Sequence, residues 1–369
     1  MSVWLTASAV GAELAARWDL DAEQVALLTT VVQLGFVLGT AIAALLNLAD
    51  IVPARAYFAA SAAAAALANA AVLVAPGFGW ALVARLLTGF FLAGVYPPSM
   101  KMMATWFRAA RGMAIGAVVG ALTIGKATPY VLKLIDGAAL EPVLLGSSAG
   151  ALLGGVLVGA FYRDGPYPFP RTRFSWGLVG RVVRDRPTRL ATGGYLGHMW
   201  ELYAAWASIG LFFDRVLGHG PRADLAAFAM IAAGGPGAYL AGRWADAWGR
   251  ERTTIWMMAI SGSCALTLGW LTGGPTWLVV GLALVWGFTI VADSAQFSAV
   301  VTEVAPADAV GTALTLQTSV GFLLTTVSIQ LVAGVADRVG WGPAYAMLAV
   351  GPVLGIVSMV RLRRLRAAR

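Results

Sequence analysis

Residues 276–299 read TWLVVGLALVWGFTIVADSAQFSA. The stretch holds a single charge, Asp293, close to its end. About 20 apolar residues in a helix cross the hydrocarbon core of a bilayer. In lipid such a run must be helical, because every backbone group has to bond within its own segment. The same reading applies to ten more stretches, at 24–49, 56–76, 79–104, 112–135, 142–161, 190–213, 223–241, 253–272, 310–335 and 343–360. A shorter apolar start, 2–15, makes a twelfth segment. No alternating short strands of the kind a membrane barrel needs are present.

Composition agrees. Of 369 residues 59% are hydrophobic and 12% charged, the latter about half the share in a soluble domain. One soluble core cannot hide that much apolar surface. A disordered chain, a disulfide scaffold and an ordinary soluble enzyme are excluded. The one cysteine, Cys264, sits in an apolar run and reads as a buried thiol. No basic residue precedes the apolar start, so it does not read as a secretory signal.

The net charge of +8 comes almost wholly from arginine. The loops after even-numbered segments and the C-terminal tail carry Arg55, Arg108, Arg111, Arg163, Arg171, Arg173, Arg181, Arg184, Arg186, Arg189, Arg243, Arg250, Arg252 and the arginines from Arg361 to Arg369. The other side carries Arg17, Arg215, Arg222 and Arg338. The positive-inside rule places the first set in the cytoplasm, and a nucleic-acid partner is not needed to explain the basic charge. The tail Arg361-Leu-Arg-Arg-Leu-Arg suits anionic lipid headgroups.

The chain also repeats. Asp50 and Asp246, Gly89 and Gly287, and Gly112 and Gly311 are equivalent, at offsets of 196, 198 and 199 residues. The expectation is two six-helix bundles, 1–161 and 190–369. A basic linker, 162–189, joins them and contains Pro166, Pro168 and Pro170. Parallel halves of this kind form transporters with the binding site between them at the midplane. By the same repeat, the first segment is shorter than its counterpart by about six to ten residues and looks truncated.

After the eighth segment the chain reads Gly242-Arg-Trp-Ala-Asp246-Ala-Trp-Gly249-Arg250. This resembles the G-x-x-x-D-x-x-G-R signature of the major facilitator superfamily. The first-half copy keeps Asp50 and Arg55 but has Leu46 and Pro53 for the glycines. Arg85-Leu-Leu-Thr-Gly89 is similar to the superfamily's R-x-x-x-G element. Three stretches resemble a narrower branch, the permeases likened to nitrate/nitrite or cyanate carriers. They are Gly94-Val-Tyr-Pro-Pro-Ser-Met-Lys101, Gly197-His-Met-Trp-Glu-Leu-Tyr203 and Ala292-Asp-Ser-Ala-Gln-Phe-Ser298. Neither the second nor the eighth segment has the interior arginine of nitrate porters, so the label names no solute. The resemblance implies a major-facilitator fold, an all-α membrane protein working as a monomer, with segments 4, 5, 7 and 10 lining a central cavity. Asp246 can cap a neighbouring helix or pair with Arg250. With Asp50, Arg55, Gly242 and Gly249, such a clasp would gate the cytoplasmic side.

Ionisable groups inside spans are functional candidates. Glu201, Lys126, Asp293 and Arg85 all fall there, and the resemblance implies one shared space in which they nearly neutralise. Glu201 is the first candidate for proton coupling, with Asp293; His198, one turn before Glu201, can share the proton. A permanent Glu201–Lys126 or Glu201–Arg85 pair that only fixes packing is the alternative. Arg85 and Lys126 are candidate anion contacts, a fork and a point charge. Tyr130 lies one turn beyond Lys126; Tyr96 and Tyr203 can join them. Gln296 and Ser294 flank Asp293 and can bond a polar solute. Pro97-Pro98 should disrupt the fourth helix near Tyr96.

Gly120-Ala-Leu-Thr-Ile-Gly125-Lys126-Ala127 nearly matches a phosphate-binding loop, but Ala127 stands where the metal-binding hydroxyl belongs. Gly112, Gly116 and Gly120 read instead as a small-residue ridge for close helix packing. No nucleophile triad and no metal-ligand spacing occurs in the sequence, so neither enzyme, metal nor cofactor is expected. The expectation is a secondary transporter of the bacterial inner membrane, with linker and C-terminus cytoplasmic. It would move a small polar, anionic solute by alternating access as a proton symporter. The alternatives are efflux of an organic cation or drug, through Glu201 and Asp293, and a non-transporting membrane sensor or assembly partner.

Overall fold

The computed structural model describes residues 1–46, 48–107, 111–136, 140–167 and 175–368, with the backbone alone for 49, 50, 104, 111, 112 and 136. The helices follow the apolar segments. They are α1 (Gly11–Trp18, after one turn at Thr6–Ala9), α2 (Ala22–Leu45), α3 (Ala54–Ala70), α4 (Phe78–Leu92, then Tyr96–Trp106), α5 (Arg111–Asp136) and α6 (Leu140–Phe161). After a short linker helix, Trp176–Arg184, come α7 (Arg186–Leu217), α8 (Pro221–Trp248), α9 (Arg250–Leu268), α10 (Thr276–Ala292, then Ser294–Val304), α11 (Val310–Arg338) and α12 (Trp341–Ala346, then Val350–Ala367). Among the described residues there is no strand. Ten of the helices are long and apolar enough to cross a membrane.

Local chemistry sets the ends. Asp21 accepts from the Gln24 backbone and Gln24 from the Asp21 backbone, a capping box that starts α2. Asp185 caps α7, and Pro187 occupies its first turn. Gly249 ends α8 and opens α9 at φ 92°, a conformation that a side chain would oppose. The prolines break α4 as expected. The interruption is Ala93–Val95, and Pro97 and Pro98 fall in the first turn of the second piece, where missing N–H groups cost nothing. A second break, at Asp293 in α10, has no proline behind it.

The repeat is visible as packing. A Cβ on Gly89 would collide with the carbonyl oxygen of Val32, and one on Gly287 with that of Met230. A Cβ on Gly39 would meet the carbonyl of Phe90, and one on Gly237 that of Phe288. Both pairs recur at an offset of 198 residues. The crossing of α2 over α4 is thus reproduced by α8 over α10, each through backbone in contact with backbone. Gly116 and Gly120 bring α5 against Ala238 and Gly235 of α8, the role expected of the glycine ridge. Gly112, Asp50 and the linker prolines Pro168 and Pro170 belong to positions whose side chains lie outside the described residues. The architecture is the major-facilitator fold, with α5 against α8 and α2 against α11 joining the two pseudo-repeated halves.

Candidate substrate cavity

A cavity of about 650 Å³ lies between the halves. Lys126 and Tyr203 stand in its wall, and Lys101, Arg250 and Glu303 line it toward the side of the molecule that bears the linker. At the other end the rings of Trp4, Phe36, Tyr203 and Phe322 pack together with centroids 4.5–5.7 Å apart. These rings come from the N-terminal segment, α2, α7 and α11, so both halves build the seal.

Lys126 is 2% exposed. Its Nζ donates to the Tyr203 hydroxyl and stands 4.3 Å from the Trp4 ring, 4.3 Å from the Tyr203 ring and 5.0 Å from the Trp206 ring. Among the described residues no carboxylate is within ion-pair distance of it. Ring faces partly replace water around an ammonium. Lys126 is therefore a cation in the wall of a cavity, screened by aromatic faces.

The residues of 1–329 match the family model of the Major Facilitator Superfamily. The chain belongs to this superfamily. No curated protein matched it. The family and the apolar helices make it a membrane transporter.

In this transporter the four membrane charges do not share one space. Arg85 is completely buried away from the cavity. Its fork donates to the carbonyls of Leu28 at 3.3 Å, Val3 at 2.9 Å and Trp4 at 2.6 Å, to Thr6 Oγ1 at 2.8 Å and to Asn69 Oδ1 at 2.8 Å. It ties the irregular residues before Thr6 to α2, α3 and α4. Glu201 is also off the wall, and neither expected pair, with Lys126 or with Arg85, forms. The Glu201 carboxylate accepts from Ser261 Oγ at 3.0 Å and Trp286 Nε1 at 2.6 Å, inside the second half between α7, α9 and α10. His198, expected to share a proton with Glu201, pairs with Asp293: Nδ1 and Oδ1 are 2.9 Å apart and both side chains are buried. Nε2 of His198 makes no hydrogen bond. The helical spacing of His198 and Glu201 gave them a common register, but α10 supplied each with a different partner.

Tyr96, Tyr203, Ser294 and Gln296 line the cavity, as expected. Tyr130 does not; it is buried against Gly210 of α7. Gln296 accepts from Arg250 Nη1 at 2.7 Å. Arg250 donates through Nε to Glu303 at 2.6 Å, while Asp246 is 4.0 Å away. The turn at Gly249 separates Asp246 and Arg250 onto different helices, so the expected motif pair is the weaker contact. Asp246 does not cap α9, whose N-cap is Gly249. The network continues from Glu303 to Arg366 at 3.0 Å and from Arg366 to Glu251 at 2.6 Å. Arg55 is exposed.

The sequence reading passed over Lys133. It lies two turns beyond Lys126, is 3% exposed, and sits 3.3 Å from both Glu13 and Asp224. It joins α5 to α1 and, across the halves, to α8. Arg338 of α11 meets Glu23 of α2 at 2.5 Å on the same side. Ion pairs thus cross the halves on the side away from the linker. The signal was a lysine seven residues from Lys126 on one helix, but nothing local named its partners. Trp4, Trp206 and Phe322 were missed because apolar rings in an apolar chain carry no distinctive pattern.

Proposed function

We propose that this transporter moves a small anionic solute by alternating access in a bacterial inner membrane, with the linker and C-terminus cytoplasmic. The observation that carries this is Lys126: a cation in the cavity wall between the halves, with rings and a phenol where a carboxylate partner would be. Such a group is ready to receive a negative charge. Tyr96, Tyr203, Ser294 and Gln296 complete the polar lining. The carboxylates that cation efflux would use, Glu201 and Asp293, stand off the wall, which favours the anion reading.

Residues 1–161 and 190–369 act as the two moving bodies, and 162–189 as their tether. In the arrangement seen, Lys133 and Arg338 hold the halves together on the outer side, and the cavity extends toward the linker side. The Arg250–Glu303 network with Asp246 takes part in the cytoplasmic gate, through Gln296 in the wall. Proton coupling, in the symport direction, runs through His198–Asp293, directly behind Ser294 and Gln296, with Glu201 one turn further along α7. The protein works as a monomer with lipid around it.

The test is thermal stabilisation of purified protein by small carboxylates, inorganic anions and organic cations, at about pH 5.5 and 7.5. A ligand at 100 times its Kd adds about 2.7 kcal/mol. Stabilisation by an anion, lost in Lys126→Gln, supports the reading. Stabilisation by organic cations alone, lost in Asp293→Asn or Glu201→Gln, overturns it in favour of efflux. For coupling, Asp293→Asn should keep anion exchange in vesicles but lose accumulation driven by a proton gradient.

A further inference from the structure

The cavity walls narrow the solute further, on the assumption that the anion reading above holds. Three observations bear on it: the number of cations near Lys126, the number of hydrogen-bond donors there, and the character of the remaining surface.

Lys126 stands alone as a cation at its end of the cavity. Arg85 has its fork taken up by three carbonyls, a hydroxyl and an amide elsewhere. Arg250 lies toward the linker side and is neutralised by Glu303 at 2.6 Å. Lys101 lines the cavity from the second piece of α4, which ends on that same side. A solute seated at Lys126 therefore meets one positive charge. A dianion would carry a second charge into a buried place with no partner.

Donors are equally few. Tyr203 accepts from Lys126, so its own O–H is free to donate. Thr123, one turn before Lys126, spends its hydroxyl on the carbonyl of Val119 at 2.8 Å. What remains is the unspent N–H of Lys126 and the Tyr203 hydroxyl, side by side. That set suits the two oxygens of one carboxylate. An inorganic oxyanion presents oxygens in all directions, and most of them would face carbon here.

The surrounding surface is ring and hydrocarbon: Trp4, Trp206, Phe322, Val119, Leu122 and Met199. The cavity of about 650 Å³ equals roughly twenty water volumes and falls in the range of sites for organic ligands. A carboxylate on Lys126 and Tyr203 leaves the rest of the solute against apolar walls, where burial of hydrocarbon is favourable.

We propose that the solute is an organic monocarboxylate with an apolar body, its carboxylate held by Lys126 Nζ and the Tyr203 hydroxyl and its body packed among Trp4, Trp206 and Phe322. The aromatic faces have a second consequence. They screen the ammonium in the empty carrier without putting a fixed carboxylate in competition with the solute.

The experiment measures the concentration of benzoate, hexanoate, succinate, nitrate, benzyl alcohol and benzylamine that half-maximally stabilises the detergent-purified protein, in the wild type and in Lys126→Gln, Lys126→Arg and Tyr203→Phe. Benzoate and hexanoate should act at concentrations about tenfold or more below those of succinate and nitrate, with benzyl alcohol and benzylamine weaker still. Lys126→Gln should abolish the effect, Lys126→Arg should keep part of it, and Tyr203→Phe should raise the benzoate concentration about tenfold. If Lys126→Gln does not fold, Tyr203→Phe and Lys126→Arg read the same site. Succinate or nitrate acting better than benzoate, in a Lys126-dependent way, overturns the monocarboxylate assignment and leaves the anion reading standing. Benzylamine acting alone overturns both. An unchanged benzoate response in both Lys126→Gln and Tyr203→Phe, or no response to benzoate and hexanoate in the wild type, also overturns the assignment.

Discussion

Replacing Lys133 by methionine should shift this transporter toward the state open on the side away from the linker. Lys133 is buried, with Glu13 and Asp224 each 3.3 Å from its Nζ. Those carboxylates are 16% and 8% exposed, so water relieves little of the loss. Removing one partner of a buried ion pair costs about 3–5 kcal/mol, because the remaining charge is left uncompensated. Here two carboxylates remain, from opposite halves, and repel each other. Glu13 lies partly toward solvent, so a discounted figure of about 2–4 kcal/mol is reasonable. The penalty falls on the closed outer side alone, since separation of the halves lets water reach both carboxylates. A differential of that size changes the population ratio by roughly 30- to 900-fold. The assay is double electron–electron resonance between spin labels at Gly79 and Gly273, one in each half on the outer side. A Cβ at either position meets no other atom within 4 Å, so a labelled cysteine has room there. Cys264 is buried and is replaced by serine for labelling. The expected result is a longer main distance in Lys133→Met, partly reversed in Lys133→Arg. A distance distribution identical to that of the parent in Lys133→Met, with the protein still folded, would refute the reasoning.

Three further outcomes follow from the packing. Arg85→Met should lower stability by about 3–5 kcal/mol, since two carbonyls before Thr6 and the Asn69 amide lose a buried donor, and thermal unfolding in detergent checks it; a variant of wild-type stability would show the fork to be dispensable. Gly287→Ala and Gly89→Ala should each destabilise by about 1–3 kcal/mol or more, because the added carbon meets a carbonyl of Met230 or Val32, whereas Gly154→Ala, with open space around it, should be neutral or slightly stabilising. Arg250→Gln breaks the contacts to Glu303 and Gln296 together, and vesicle transport should fall about tenfold while solute-induced stabilisation persists; equal loss of both would place Arg250 in the binding site instead.

Much of the fold was legible because lipid leaves so few options. An apolar run of 24 residues around Thr276–Ala292 has one stable backbone, and eleven such runs with arginines on alternate loops give the helix count and a sidedness. The repeat was legible from Gly89 and Gly287, since close helix crossings tolerate only glycine at the contact. The breaks divided unevenly. Pro97 and Pro98 announced the interruption in α4, but the one at Asp293 had no local signal, because a polar residue inside a helix does not by itself end it.

The site was legible only as a set of residue types. The sequence by itself determined that Lys126, Arg85, Glu201 and Asp293 lie within membrane helices and therefore need partners. Which partners they have was decided by the tertiary structure, because pairing depends on helix rotation and on which neighbour arrives at each face. The register of α7 placed His198 and Glu201 together, yet α10 brought Asp293 to one, and α9 and α10 brought Ser261 and Trp286 to the other. Arg85 was claimed by carbonyls of an irregular segment more than 70 residues earlier in the chain. Lys126 alone was left facing the cavity, where the two halves meet and no single helix determines what is opposite.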